Sequence, residues 1–441
     1  MAWAKYLLTR ALVLGLLAQG IVADGDADAN AKADVAPSVG SDEGLAFEPI
    51  EKTEIYTDNA TAKATTPEII TDVEVPPVEG WWQSKICSGV YCIFTNRRIN
   101  NGRGLVIVSK IEDFHKVERV EDHLEKAENK YEEPISWQEA EVVDKGIGLV
   151  ANKTLRRGKT LMSWSPVLMV HKDVMNEVRK ADRLNLLERA VTFLPDATRA
   201  KFDRQRAGGP KGDITRTVEQ IIKGAPFEID LGFARHADDH SKHYVNYPEI
   251  SAVFQHDCRP NVAYHVDNNL ALRTVIARRT SVGEELTIAY IDPLEPRAER
   301  QAWVKKNRGY GIPCPCDACN KKGRLDALKE SEDRVAEILS IRAELRNHDS
   351  KIITFDMIER FLKLLDQERL QVKLAEAYEL AAVNFNYLGD DVRAKKYADL
   401  AVQAGMIEGG VDSNDVIAMR IMASDVKGHY SYRFTLKRRG Q

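Results

Sequence analysis

Three closely spaced cysteines are the residues best suited to chemistry in this sequence. Cys314, Cys316 and Cys319 follow a C-x-C-x2-C spacing. Thiolates are good zinc ligands, but a structural zinc ion takes four ligands in a tetrahedron, so this set lacks one. Cys258 is the nearest other cysteine in the sequence, and a Pro-Asn turn follows it closely. We therefore expect these four cysteines to hold one Zn²⁺ that joins a loop near Cys258 to the tail.

Three short segments accompany this cysteine set. The first reads K-G-I-G-L from Lys145, the second reads Q-H-D-C-R-P-N from Gln255, and the third reads G-E-E-L-T-I-A-Y and ends at Tyr290. Glycine permits positive φ and a close approach of a ligand to the backbone. Taken alone, the Gly-x-Gly segment is more typical of an ordinary hairpin turn than of a ligand cradle. The order of all three segments favours the cradle.

These motifs, in this order and followed by the cysteine tail, resemble those of SET-domain lysine methyltransferases with a post-SET zinc tail. The resemblance covers residues 131–320 and is strongest to the SMYD-like branch, especially fungal SET proteins with a helical C-terminal region. It implies an α+β fold, in which a β-rich SET domain with a helical insertion precedes an α-helical, tetratricopeptide-like domain. It also implies S-adenosylmethionine as methyl donor and a lysine-containing protein, such as a histone, as substrate.

The resemblance assigns a role to each matching position. Tyr290 is expected to supply the catalytic hydroxyl that orients the amine or the methyl group, and Asn261 is expected to tie down its loop. The four cysteines remain the expected metal ligands. The cofactor-binding residues that the resemblance implies are Lys145, Gly146, Ile147, Gly148, Gln255, His256 and Tyr310.

The sequence departs from the family pattern at three places. Gln255 stands where asparagine is usual, and its extra methylene displaces the amide. Gly224 and Ala225 precede Phe227 without the usual amide side chain, and Ile312 occupies a position where an aromatic residue would stack on adenine. These departures motivate a second hypothesis from another class, a catalytically weak or inactive SET-fold scaffold that binds a protein.

The N-terminal residues predict export. Residues 1–23 carry Lys5 and Arg10, then an apolar run that ends at Ala23, which is the pattern of a secretory signal peptide. The run is shorter than the about 20 residues of a membrane span, so we expect no stable span. We therefore expect the secretory pathway or secretion, with the nucleus or cytoplasm as the alternative.

The remaining domain boundaries follow from composition and apolar spacing. Helical patterns on both sides of the turn at Gly389 favour a tetratricopeptide-like pair near the C-terminus. The predicted segments are a disordered linker (24–80), an N-terminal hairpin and helix (81–130), a SET domain (131–308) with a helical insertion (172–223), a zinc tail (309–320) and a helical domain (321–441).

Other features leave alternatives open. A formal net charge of -4 over 441 residues gives no reason to expect direct nucleic-acid binding. Cys87 and Cys92 predict either two buried thiols or, in an oxidising compartment, a disulfide.

Two polar clusters are given their simpler interpretation. The histidines 236, 240 and 243 could bind a metal, but a solvated loop is favoured because no acidic or cysteine partner has matching spacing. The basic cluster at residues 437–439 is interpreted as a solvated tail.

Overall fold

The computed structural model describes residues 80–118, 121–208, 214–230, 242–308, 313–320 and 324–440, together with residues 74, 76 and 77. Every described residue belongs to one compact unit of the chain, which begins at Ile70. The predicted signal peptide and nearly all of the predicted linker therefore lie outside the described residues.

Sixteen strands occupy the described residues before position 289. They are β1 (Trp82–Ser88), β2 (Tyr91–Asn96), β3 (Leu105–Lys110), β4 (Lys130–Tyr131), β5 (Trp137–Val142), β6 (Gly146–Ala151), β7 (Thr160–Trp164), β8 (Leu168–His171), β9 (Ala207–Gly208), β10 (Ile214–Thr215), β11 (Phe227–Asp230), β12 (Lys242–Asn246), β13 (Gln255–His256), β14 (Val262–Val266), β15 (Leu272–Ile276) and β16 (Glu285–Ile288).

Fifteen helices lie between and after these strands in the described part of the chain. They are α1 (Ile99–Gly102), α2 (Ile111–Glu118), α3 (Glu121–Glu125), α4 (Val174–Glu177), α5 (Lys180–Thr192), α6 (Asp196–Asp203), α7 (Val218–Gly224), α8 (Pro248–Ser251), α9 (Arg297–Asn307), α10 (Leu325–Arg346), α11 (Phe355–Gln367), α12 (Leu374–Tyr387), α13 (Asp391–Glu408), α14 (Asn414–Ser424) and α15 (Phe434–Arg439). None of them combines the length and the apolar character needed to cross a membrane.

Three larger sheets and a two-stranded ribbon form the β-rich part. A six-stranded sheet has the order β1-β2-β3-β8-β12-β11, and two four-stranded sheets have the orders β13-β16-β6-β5 and β14-β15-β7-β4. Because β3 pairs in parallel with β8, the predicted N-terminal hairpin shares a sheet with strands of the predicted SET region. The predicted α+β class, sheets followed by helices, is confirmed.

The predicted helical insertion is divided by a proline. Within the insertion predicted over residues 172–223, α5 ends at Thr192 and α6 begins at Asp196. Pro195 lies between them, and proline can neither donate a backbone hydrogen bond nor continue a preceding helix. Buried leucines of α5, including Leu187, pack on the six-stranded sheet.

Helices α10 to α14 occupy the predicted C-terminal region. Buried alanines such as Ala381 in α12 and Ala398 in α13 let these two helices approach closely, with Phe385 filling the space beside them. Gly389 has a φ of +79° in the turn between them, a conformation that favours glycine. These helices have their own hydrophobic core, so the region is a packed helical layer.

Residues 437–439 are largely exposed, as the solvated-tail prediction has it, but their two arginines also contact other parts of the chain. These residues lie in α15, where Arg438 forms an ion pair with Asp349. Arg439 donates hydrogen bonds to the carbonyl oxygens of Lys351 and Ile353. The basic residues therefore cover the ends of the segment between α10 and α11, where carbonyl groups without helical partners need donors.

Candidate active site and metal centre

The loop of residues 255–261 connects the elements of the site. Gln255 and His256 form β13, which pairs in parallel with β16. The side-chain oxygen of Asn261 accepts a hydrogen bond from the Thr287 amide at 2.9 Å, and its amide nitrogen donates to the Glu285 carbonyl at 2.8 Å. Asn261 therefore fixes the loop to the strand that leads to Tyr290.

The structure brings the four predicted metal ligands together. All four cysteines are buried, and their sulfur atoms lie within 4.8 Å of one another. The Cys258 sulfur is 3.5 Å from that of Cys319 and 3.9 Å from that of Cys314. Four thiolates at this separation fit the tetrahedral ligand set of a structural zinc ion.

A buried arginine supports the presence of charge on these sulfurs. The Arg300 side chain is fully buried, and its nearest carboxylate, that of Glu332, is 3.7 Å away. Burial alone lowers the pKa of Arg300, but the neighbouring Cys258 and Cys319 sulfurs outweigh this effect and raise it. Because four thiolates and one Zn²⁺ carry two net negative charges, a buried cation beside them fits a loaded metal centre.

His256 links the metal centre to the expected catalytic residue. Its Nδ1 accepts a hydrogen bond from the Tyr290 backbone amide at 3.2 Å, and its Nε2 lies 3.4 Å from the Cys258 sulfur. Burial lowers the pKa of His256 to about 3, so the imidazole is neutral. With Nδ1 accepting, the proton is assigned to Nε2, which donates to the sulfur. His256 therefore orients both groups.

The Gly-x-Gly segment forms the first half of β6 and is bonded by Gln255. Gly146 has a φ of +82°. A Cβ atom on Gly148 would lie 2.7 Å from a Val142 methyl group and 3.3 Å from the Gln255 Cγ, so the close packing there requires glycine. The Gln255 amide donates to the Ile147 carbonyl oxygen. The longer side chain of glutamine thus has a partner on the segment that was predicted to hold the cofactor.

Lys145 has an acidic partner in the structure. Its ammonium group is 2.8 Å from a carboxylate oxygen of Glu285, and the lysine side chain is buried. Burial raises the pKa of Glu285 more than Lys145 lowers it. The ion pair joins the start of β6 to the start of β16. The role of Lys145 in cofactor binding stays a prediction.

Tyr290 is buried at the centre of the site. Its hydroxyl group donates to the Phe254 carbonyl oxygen at 3.0 Å, and its ring lies 5.7 Å from that of Phe227. The guanidinium of Arg308 lies 3.9 Å from the centre of the Tyr290 ring. Arg308 also donates to the carbonyl oxygens of Gly224 at 2.8 Å and Phe254 at 3.3 Å.

Arg308 is a residue of the site that the sequence analysis missed. It sits just after α9, where the sequence carries no motif beyond a basic residue before Gly309. Its contact with Gly224 places a hydrogen-bond donor beside the segment that lacks the usual amide side chain. The segment at Gly224 and Ala225, which lacks the usual amide side chain, is therefore contacted by an arginine from another part of the chain.

Aromatic side chains surround Tyr290. The Phe227 ring packs edge-on against those of Tyr264, at 5.1 Å, and Tyr247, at 5.7 Å. The Tyr264 hydroxyl donates to the Ala289 carbonyl oxygen at 3.3 Å. Such apolar surroundings disfavour the charged form of an amine, and an amine must be neutral to act as a nucleophile.

Several predicted residues fall elsewhere. Tyr310 and Ile312 lie outside the described residues, as do His236 and His240. The solvated-loop prediction is wrong for His243, which is buried in β12 with its Nε2 at 3.0 Å from the Ser109 hydroxyl. Where the structure describes the chain, the four cysteines are the one group arranged to hold a metal ion.

A comparison with protein families identifies the central part of the chain. The family model for the SET domain matches residues 146–291. These residues form a SET domain. The match begins at Gly146 and ends one residue after Tyr290, so it includes the Gly-x-Gly segment and the two later motifs, whereas Lys145 lies one residue before it.

Curated relatives match the same region. A histone-lysine N-methyltransferase SET5 of Candida glabrata is 33% identical over 140 residues, which are 31% of this chain and 25% of the relative. The human histone-lysine N-methyltransferase SMYD1 is 28% identical over 137 residues, 27% of each chain. The matches thus span about a quarter of these relatives. Because the matches include a yeast and a human protein, they do not support the predicted resemblance to fungal SET proteins in particular.

A solved structure of a SET domain is also similar to the chain. It is the SET domain of LSMT bound to lysine and AdoHcy, with 14% identity, a TM-score of 0.27, and coverage of 73% of this chain and 95% of that one. With so low a TM-score, the similarity carries no argument. The assignment of the SET domain rests on the family match.

Proposed function

We propose that this protein is a protein-lysine N-methyltransferase that uses S-adenosylmethionine. The observation that carries the proposal is the placement of Tyr290, buried among aromatic rings at the end of the strand that Asn261 and His256 hold. The histone-lysine methyltransferases among the relatives support a histone as the substrate. Metal-bound cysteines would close the tail over the same loop.

The chemistry requires a neutral amine in a fixed position. When bound, S-adenosylmethionine supplies an activated methyl group; its S–C bond breaks as the N–C bond to the lysine forms. A free lysine has a pKa of about 10.4, and an apolar channel lowers it, so the aromatic set around Phe227 would favour the nucleophilic form. In this proposal the Tyr290 hydroxyl orients the amine, and such alignment supplies much of the rate in enzymes.

The test of the proposal is direct methyl transfer. The purified, zinc-loaded protein is incubated with S-adenosylmethionine and the four core histones, and the products are read by peptide mass spectrometry. We expect added methyl groups on lysine side chains, and none when the Tyr290→Phe variant replaces the wild type. Absence of transfer to histones, and to the proteins of a denatured cell extract, would contradict the proposal.

A second candidate function is a weak or inactive SET scaffold. Two observations favour it: the segment Gly224-Ala225 lacks an amide side chain, and Arg308 occupies the space over the Tyr290 ring. In this function Arg308 fills part of the site that a donor and an amine would need. The protein would then bind a partner without methylating it.

The Arg308→Met variant separates the two functions. Methionine is an unbranched apolar side chain, shorter than arginine, that lacks the charge and the hydrogen bonds to Gly224 and Phe254. If Arg308 positions Tyr290, we expect kcat for methyl transfer to fall about tenfold, because catalytic groups lose rate when their alignment loosens. Arg308→Lys, which retains a cation, serves as the control and should lose less. A rise in activity for Arg308→Met would instead show that Arg308 obstructs the site.

We further propose that the chain enters an oxidising compartment; export would favour the scaffold function, because secreted chains rarely meet S-adenosylmethionine or histones. Two features support this: the signal-like residues 1–23, and the disulfide between Cys87 and Cys92, which face each other across β1 and β2. Mass analysis of the N-terminal peptide from the native source tests it. We expect a mature protein that begins at Asp24, whereas an intact Met1 would contradict export.

A further inference from the structure

A buried carboxylate in the helical region contacts the loop that carries the site. Glu368 follows α11 directly, and its side chain is 4% exposed. It accepts a hydrogen bond from the Arg259 guanidinium at 2.6 Å, from the Ser331 hydroxyl at 2.7 Å and from the Arg334 guanidinium at 2.6 Å. One carboxylate therefore joins two residues of α10 to a residue of the loop 255–261.

Arg259 stands between the two residues that fix this loop. It directly follows the metal ligand Cys258 and comes two positions before Asn261. Its guanidinium also donates to the Cys258 carbonyl oxygen at 2.7 Å and to the Pro293 carbonyl oxygen at 3.3 Å. The arginine is therefore held on one side by Glu368 and on the other by the backbone of a metal ligand.

The energetics favour a role in holding this geometry. A buried ion pair contributes little net stability compared with apolar packing, but removal of one partner leaves the other charge buried and costs several kcal/mol. A bidentate or multiply bonded arginine also fixes orientation, which a lysine cannot do as well. The Arg259–Glu368 pair is thus suited to fix the position of the loop relative to α10 and α11.

We propose that Glu368 is a positioning residue through which the C-terminal helices hold the loop 255–261 in place. The same loop bonds to the Gly-x-Gly segment through Gln255 and to Tyr290 through His256. Any movement of α10 or α11 is therefore transmitted to the metal centre and to the expected catalytic residue. The expected effect of Glu368 on cofactor binding rests on the proposed function. Its effect on the position of the loop 255–261 does not, and it can be measured without the cofactor.

Hydrogen exchange in the zinc-loaded protein tests the inference. The Asp257 amide donates to the Ile288 carbonyl at 3.0 Å, so exchange of a peptide covering residues 255–261 reports whether the loop stays on β16. We expect Glu368→Gln to speed exchange there about tenfold, because the loop opens locally more often. We also expect about tenfold weaker binding of S-adenosylmethionine, measured by calorimetry.

A matched control is available in the same helices. Glu376 in α12 accepts hydrogen bonds from Arg342 and Arg346 of α10, so Glu376→Gln removes an ionic contact within the helical region without touching the loop. This variant should leave exchange of 255–261 unchanged. Glu368→Asp, which retains the charge, should restore part of the protection and serves also if Glu368→Gln does not fold.

A double-variant cycle decides whether Glu368 acts through Arg259. Arg259→Gln alone should speed loop exchange by a similar factor, and addition of Glu368→Gln should add little, because contacting residues are not additive. If Glu368→Gln and Glu368→Asp both leave exchange of 255–261 at the wild-type rate, the inference is overturned. A wild-type protein that does not bind S-adenosylmethionine would contradict the proposed function instead. The exchange data would still decide the role of Glu368.

Discussion

The Tyr290→Phe variant is expected to lose at least about 100-fold in kcat for lysine methylation, because a single well-placed polar group in a preorganised site contributes on this scale. Phenylalanine keeps the ring between Phe227 and the Arg308 guanidinium, so the packing of the site is preserved. What disappears is the hydroxyl, which donates to the Phe254 carbonyl oxygen and orients the amine in the proposed function. Steady-state kinetics with core histones measure the effect.

The control for this variant is Tyr91→Phe. Tyr91 is also buried and its hydroxyl donates to Glu177, but it belongs to the hydrophobic cluster under the six-stranded sheet. It should lose some stability and little activity. If Tyr290→Phe retains wild-type kcat while Tyr91→Phe behaves as expected, Tyr290 has no part in the reaction.

The Cys258→Ser variant is expected to lose nearly all of its bound zinc. Cys258 is the one ligand contributed by the loop, and its sulfur lies within 4.8 Å of the sulfurs of Cys314, Cys316 and Cys319. Without it the tail keeps three ligands, and the buried Arg300 loses the Cys258 sulfur, one of its negative partners. Because metal binding contributes directly to folding, we also expect a lower midpoint of thermal unfolding and loss of methyl transfer.

Elemental analysis of purified protein measures this effect. The Cys87→Ser, Cys92→Ser double variant is the matched control, since it removes two cysteines that form a disulfide and do not belong to the metal group. The control should retain about one zinc ion per chain. Full zinc occupancy in Cys258→Ser would exclude this cysteine as a ligand.

Local patterns predicted the parts of the site that recur at fixed spacing. Cys314, Cys316 and Cys319 are close in sequence, and the count of four ligands pointed to Cys258, more than fifty residues away. Gln255 was correctly noted as a departure, but its reach to the Ile147 carbonyl depends on the sheet in which β16 lies between β13 and β6. The spacing of residues along the sequence does not reveal such a contact.

The residues that were missed owe their positions to tertiary packing. Arg308 and Glu368 are ordinary charged residues in the sequence, and each becomes part of the site through a contact with a distant segment. His243 was assigned to a solvated loop because no acidic or cysteine partner has matching spacing, yet β12 pairs with β8 and buries it. In each case a long-range pairing outweighed the local composition.

Calorimetric titration of the zinc-loaded protein with S-adenosylmethionine tests the central claim most directly. For a methyltransferase we expect saturable binding at about one site per chain, with a Kd in the micromolar range where cofactor-using enzymes commonly operate. We also expect weaker binding in Glu368→Gln and little change in Tyr290→Phe. A wild-type protein that gives no saturable heat at millimolar S-adenosylmethionine would contradict the account and leave the scaffold function as the better description.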